Sequence, residues 1–187
     1  MITGLLLFPG AGSARTHSSL VAIEEAVAPL PVTRADFPYR KAGKKVPDRA
    51  PVLLACVRAE AEAFAARLGV TTARLVLGGR SMGGRMCSMA VADGLPAAGL
   101  VLISYPLHPP GRPERLRTEH LPALDVPCLF IHGTKDPFGT PDELAAHTAV
   151  IAGPVTHVWI EGARHDLAKA DARIAGTVVS WLGRLRG

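Results

Sequence analysis

The chain is 187 residues long, 48% of them hydrophobic, and carries a formal net charge of +5. Such a length suits one domain, residues 1–187, burying roughly 70% of its unfolded surface, and the even spread of apolar residues excludes a disordered or low-complexity chain. No apolar run approaches the roughly 18 residues that a membrane-spanning helix requires, and three scattered cysteines, Cys56, Cys87 and Cys128, make neither a disulfide framework nor a zinc spacing.

The opening residues Met1-Ile2-Thr3-Gly4 offer no basic lead and no small-residue cleavage site, which points to a soluble cytoplasmic protein. An apolar run at 5–8 reads as a buried strand and runs into Pro9-Gly10-Ala11-Gly12, a turn with little side chain. A helix is expected over 18–28 and a second strand over 32–37. Arg40-Lys41-Ala42-Gly43-Lys44-Lys45 then holds the densest positive charge of the chain. Without interleaved aromatics it is a poor nucleic-acid surface, and it reads as a solvated loop or as the rim of a pocket for acidic substrates.

The clearest helix spans 50–68, where Val52, Leu53, Cys56, Val57, Ala63, Phe64 and Leu68 make an apolar stripe and Gly69 ends it. A strand over 74–77 leads directly into Gly79-Arg80-Ser81-Met82-Gly83, and a helix over 82–92 follows. A G-x-S-x-G between strand and helix is the setting of a nucleophile elbow: the turn is so tight that the neighbours must be nearly free of side chain, and the serine hydroxyl stands exposed at a helix N-terminus. The plain alternative is a glycine-rich turn with an incidental serine. A phosphate-binding loop fits poorly, since the segment lacks the Gly-Lys-Ser/Thr ending.

A fourth strand over 99–104 precedes Tyr105, Leu107 and the proline-rich stretch His108-Pro109-Pro110-Gly111-Arg112-Pro113, which has to be a loop. Open parallel sheets bind ligands just past the carboxyl ends of their strands, so Tyr105 and His108 are candidates to line a pocket. Strand 128–132 leads to Gly133-Thr134-Lys135-Asp136-Pro137, helix 142–151 follows, and strand 156–160 leads to Glu161-Gly162-Ala163-Arg164-His165-Asp166 before a last helix over 169–185. Six strands alternating with helices predict an α/β fold with a mostly parallel sheet covered on both faces.

A serine hydroxyl is a weak nucleophile and needs a base within reach, itself held in one tautomer by a third group. Ser81, Asp136 and His165 each stand just past a strand, and are the predicted nucleophile, orienting acid and general base; Asp166, adjacent to His165, points elsewhere as neighbours on a loop do. An oxyanion needs two backbone N–H donors. Met82 supplies one by the geometry of the elbow, and the turn after the first strand supplies the other, assigned to Ala11 with Gly12 as its rival; Gly10 and Gly12 are further candidates for contact with substrate. His17, His120, His147 and His157 read as surface groups, and His132 as the partner of a backbone carbonyl. The chemistry asks for no metal and no organic cofactor. The expected partner is a small-molecule acyl substrate rather than nucleic acid or a membrane, and a homodimer stays open.

Gly-Arg-Ser-Met-Gly-Gly-Arg at the elbow, His-Gly-Thr-Lys-Asp before the acid and Gly-Ala-Arg-His-Asp at the base resemble the small α/β hydrolases related to dienelactone hydrolase. The resemblance extends to the branch shared with the hydrolase-like domain of the testis-expressed and NSL-complex subunit proteins. It implies a minimal six-stranded sheet in the family order 4-3-5-6-7-8, without a lid, and hydrolysis of carboxylesters or thioesters of small to medium acyl groups through an acyl-enzyme. Ser81 stands where dienelactone hydrolases use cysteine, and Pro9 where a histidine usually precedes the oxyanion glycine.

Two other classes compete. Gly10-Ala11-Gly12 followed by Asp36 suggests a dinucleotide-binding module, but Arg15 occupies the position where close helix packing wants a third glycine. A catalytically silent binding or scaffold protein is the remaining alternative, since a fold does not imply a function.

Overall fold

The computed structural model describes residues 1–186. Its six strands are β1 (Gly4–Phe8), β2 (Val32–Arg34), β3 (Leu75–Arg80), β4 (Gly99–Ile103), β5 (Cys128–Gly133) and β6 (Val155–Ile160). They form one sheet in the order β2-β1-β3-β4-β5-β6, every pair parallel. This is the order implied by the resemblance, with β1 in the place of the family's third strand.

Strands β1, β3, β4 and β5 are buried along their whole length, which is why they read as continuous apolar runs rather than alternating ones. Their side chains divide between two layers. Leu6, Phe8, Leu77, Leu102 and Phe130 face α3 (Ala50–Arg67), α4 (Met82–Ala92) and α5 (Pro141–Thr148); Leu5, Leu7, Val76, Ile103 and Ile131 face α1 (Ser18–Val27) and α6 (Asp171–Arg186). The sheet is therefore covered on both sides and its functional groups are left at the strand ends. No described helix is long and apolar enough to cross a membrane.

The second strand is shorter than expected. It ends at Arg34, and Phe37 caps an unforeseen short helix, α2 (Pro38–Lys41). The apolar residues that prolonged the predicted strand are buried for another reason: Phe37 stacks on Phe8 at 4.8 Å and on Tyr39 at 6.4 Å, beneath the turn after β1. Likewise α5 stops at Thr148 although Ile151 is buried, because Ala152 N–H turns to Leu124 carbonyl and ends the helical ladder. At its start α5 has a full capping box, with Thr140 Oγ1 accepting from Glu143 N–H and Glu143 Oε2 accepting from Thr140 N–H. The basic loop is solvated: Lys41 pairs with Glu60 at 2.7 Å, and Lys44 and Lys45 are exposed.

Strand β3 carries two glycines that its neighbours require. A Cβ on Gly78 would sit 2.1 Å from Val101 carbonyl oxygen, and one on Gly79, whose φ is +148°, would sit 2.0 Å from Phe8 carbonyl oxygen. Gly79→Ala is expected to lower the unfolding free energy by more than about 3 kcal/mol, since it adds backbone strain to a clash that no rotamer relieves; urea unfolding followed by circular dichroism measures it.

Candidate active site

Ser81 stands between β3 and α4 in a conformation that L-residues rarely adopt, with φ 46° and ψ −116°. Its N–H donates to Ile103 carbonyl (2.8 Å), and its own carbonyl accepts from Arg85 N–H (3.0 Å), so the strained turn is tied to β4 on one side and to α4 on the other. Gly83 allows the close approach beneath it, because a Cβ there would lie 2.5 Å from both Phe8 and Pro9 carbonyl oxygens. Gly10 lies directly against the serine, its ideal Cβ position being 3.5 Å from Ser81 Cβ. This is the elbow that the G-x-S-x-G predicts.

The loops after β5 and β6 are laced to each other. Thr134 N–H donates to Ile160 carbonyl, Lys135 N–H to Ala163 carbonyl (2.9 Å), and Gly162 N–H to Thr134 Oγ1 (2.8 Å). Gly133 makes that crossing possible, since a Cβ would meet Ala163 carbonyl oxygen at 2.4 Å. The result brings Asp136 and His165 together. Asp136, buried, lies with Oδ2 2.8 Å and Oδ1 3.0 Å from His165 Nδ1, and His165 Nε2 lies 2.9 Å from Ser81 Oγ. A carboxylate only accepts, so Nδ1 carries the ring proton and Nε2 is left to accept the serine hydroxyl's hydrogen. Such an arrangement can take a proton from Ser81 as its oxygen attacks and hold the imidazolium that forms.

Three neighbours complete the geometry, two of which, Arg80 and Phe138, have no role in the sequence reading. Arg80, only 5% exposed, donates through Nη2 to the carbonyls of His165 and Asp166 (3.1 Å each), joining the residue before the serine to the loop that bears the base. Burial lowers its pKa, opposed by the carboxylates of Asp171, Asp166 and Asp136. Phe138 stacks on His165 with ring centroids 4.0 Å apart, and its N–H donates to Asp136 Oδ1 (2.9 Å), so one residue fixes the carboxylate and covers the imidazole. His132 donates from Nε2 to Gly139 carbonyl (2.8 Å), as the sequence suggests, and lies 3.5 Å from Asp136 Oδ2. Desolvation holds its pKa below the usual histidine value, so it stays neutral beside the acid.

Two cavities meet at Ser81. The larger, about 470 Å³, is lined by Gly10, Gly12, His17, Arg80, His165 and Arg164 among others. The smaller, about 380 Å³, is bounded by Met82, Leu53, Met86, Arg85, Arg117 and Asp48 among others. Ala11 and Phe138 line both. Met82 opens α4, where its N–H has no partner within the helix, and Tyr39 Oη donates to Ala11 carbonyl (2.8 Å), fixing the peptide between Ala11 and Gly12.

Tyr105 and His108, expected to line a pocket, line neither of these two cavities. Tyr105 is 1% exposed and donates its hydroxyl to Arg117 carbonyl (2.7 Å); His108 is 6% exposed, with Nδ1 against Pro109 carbonyl. Both follow β4 as expected, but the segment folds back over the sheet edge and turns them into core. His17, His120, His147 and His157, expected at the surface, are all half-buried: His17 lines the larger cavity, His157 bonds Thr148 Oγ1 at 2.9 Å, and His120 bonds Ser88 Oγ at 2.8 Å with its pKa pushed down to about 4 by burial and by Arg85. The basic loop lines neither cavity beside the serine. The cysteines are free thiols, Cys87 and Cys128 buried and Cys56 half-buried. Among the described residues, no three His, Cys, Asp or Glu side chains gather as a metal site would require.

A parallel sheet in this order, with a strained serine at its centre hydrogen-bonded to an imidazole that a carboxylate from another loop holds in turn, defines the class of α/β hydrolases. The chain belongs to the alpha/beta hydrolase domain family, whose model matches residues 2–177. Among solved structures it is similar to Est1E from Butyrivibrio proteoclasticus (TM-score 0.79, 15% identity, covering 98% of this chain and 88% of that one). It is also similar to an α/β serine hydrolase homologue from Coxiella burnetii (TM-score 0.75, 19% identity, 97% and 85% covered) and to the esterase domain of a Rhodothermus marinus protein (TM-score 0.74, 15% identity, 97% and 87% covered). At these identities the likeness is one of fold.

Proposed function

We propose that this chain is a serine hydrolase that cleaves carboxylester or thioester bonds of small to medium acyl substrates, with Ser81 as nucleophile, His165 as general base and Asp136 as the acid that orients it. The observation that carries the reading is the continuous relay from Ser81 Oγ through His165 Nε2 and Nδ1 to Asp136, built on a serine held at φ 46°. Ser81 attacks the carbonyl carbon as its proton passes to His165. The tetrahedral oxyanion is stabilised by Met82 N–H and by the turn after β1, through Ala11 N–H or Gly12 N–H. His165 then protonates the departing alcohol or thiol, and a water activated by the same imidazole releases the acid from the acyl-enzyme.

The two cavities give the substrate a direction. A base that protonates the leaving group has to stand beside it, so the leaving group belongs in the cavity that His165 lines and the acyl chain in the one behind Met82. The similar Rhodothermus marinus domain is an esterase domain, and Est1E binds ferulic acid; both support an ester substrate. The test is hydrolysis of p-nitrophenyl esters from acetate to octanoate together with labelling by a fluorophosphonate probe. The expected result is a rate that peaks at short or medium chains, since the acyl cavity holds only about 380 Å³, with Leu53 and Met86 in its wall. Absence of both turnover and labelling would remove the serine hydrolase reading.

A further inference from the structure

The acyl cavity is lined by two cationic side chains that form no ion pair among the described residues. Arg85, on α4, and Arg117, on the loop between β4 and β5, both line it and both are half-buried. Arg85 Nε is sealed from solvent and has no acceptor. Among the described residues neither guanidinium has a carboxylate within ion-pair distance, whereas Arg34, Lys41 and Arg58 each have one. The one acid lining this cavity is Asp48, so the lining is left with an excess of positive charge. The two charges act on each other, since Arg117 has a pKa lowered first by burial and then by Arg85; the pKa of His120 is likewise lowered first by burial and then by Arg85.

Two like charges held together in a half-buried cleft are unfavourable unless an anion completes them. Guanidinium forks suit a planar or tetrahedral oxyanion group that can take two hydrogen bonds at once. The backbone of Arg117 is pinned for such a role: its N–H donates to Leu107 carbonyl and its carbonyl accepts from Tyr105 Oη. The burial of Tyr105 thus positions a residue of the cavity wall, although Tyr105 itself is not part of the wall.

We propose that Arg85 and Arg117 form an anion subsite for the far end of the acyl chain, so that the substrates of this site are esters whose acyl group ends in a carboxylate or phosphate, as in the half-ester of a dicarboxylic acid. The inference rests on the acyl-cavity assignment above. Arg85 and Arg117 bind and orient; the bond-making steps stay with Ser81 and His165.

The experiment compares p-nitrophenyl butyrate with the mono-p-nitrophenyl ester of glutaric acid, after subtraction of the uncatalysed rate that a neighbouring carboxylate raises. Wild type is expected to favour the glutarate ester in kcat/KM by about 10- to 100-fold, the worth of one charged hydrogen-bonded contact. Arg117→Gln and Arg85→Gln are expected to bring that ratio towards one, and Arg117→Lys to retain part of it. Equal use of both esters by wild type, or a ratio unchanged in the glutamine variants, overturns the subsite. Binding supplies a readout independent of turnover: glutarate and inorganic phosphate, titrated separately, should raise the melting temperature of wild type and not of the Arg85→Gln/Arg117→Gln double variant, and the better of the two names the anion. If no ester is cleaved and Ser81 takes no probe, the hydrolase reading fails while this titration still decides the subsite. No shift with either anion overturns it.

Discussion

Ser81→Ala is expected to lower kcat for any ester that wild type cleaves by about 10⁴- to 10⁶-fold, with the protein still folded. The loss is large because, in the proposed mechanism, the hydroxyl is the group that bonds to carbon; without it only the proposed oxyanion donors and the binding cavities remain, and these assist attack by water weakly. Folding should survive, since alanine at φ 46° is no more strained than serine and the turn is held by backbone bonds, Ser81 N–H to Ile103 carbonyl and Arg85 N–H to Ser81 carbonyl. The paired measurements are steady-state hydrolysis and fluorophosphonate labelling, beside a thermal melt. A variant with an unchanged melt and a rate near that of wild type would show that the hydrolysis comes from another group.

Asp136→Asn is expected to reduce kcat by about 10⁴-fold near neutral pH. The side chain keeps its size, but an amide can present its NH₂ to His165 Nδ1, which favours the tautomer whose proton sits on Nε2. That nitrogen then faces Ser81 Oγ, at 2.9 Å, as a donor and cannot take the hydroxyl proton. The same carboxylate accepts from Phe138 N–H at 2.9 Å and lies 3.5 Å from His132 Nε2, so a modest loss of stability should accompany the loss of rate. Because the serine and the cavities are untouched, KM should move far less than kcat. A variant that retains more than about a tenth of the wild-type rate would remove Asp136 from the role of orienting acid and direct attention to Asp166.

Much of this site is legible in the chain because its parts are local. The elbow is a run of five residues whose glycines are required by the close approach of Gly79 and Gly83 to the backbone carbonyls of Phe8 and Pro9, and that demand leaves a short pattern in the sequence. Strands β1, β3, β4 and β5 are legible because burial on both faces leaves continuous apolar runs, and Asp136 and His165 stand out as candidates because each lies shortly after the end of a strand, β5 and β6. The errors fall where apolar character has a second cause. Phe37 is apolar because it stacks on Phe8, and Ile151 because it packs into the core beyond the end of α5; neither periodicity nor propensity separates these from a strand or a helix.

The sequence by itself determined the order of elements, the parallel sheet and the identity of the three groups joined in the relay, since periodicity, glycine turns and strand ends are properties of short stretches. Only the tertiary structure decided what surrounds them. Arg80 reaches a carbonyl 85 residues away, Phe138 covers the imidazole of His165, Tyr105 is drawn into the core, and Arg85 and Arg117 converge from a helix and a distant loop. Which way a loop side chain faces depends on contacts between residues far apart in the chain, and the free energy of those contacts is set by packing around the whole sheet edge rather than by any local pattern.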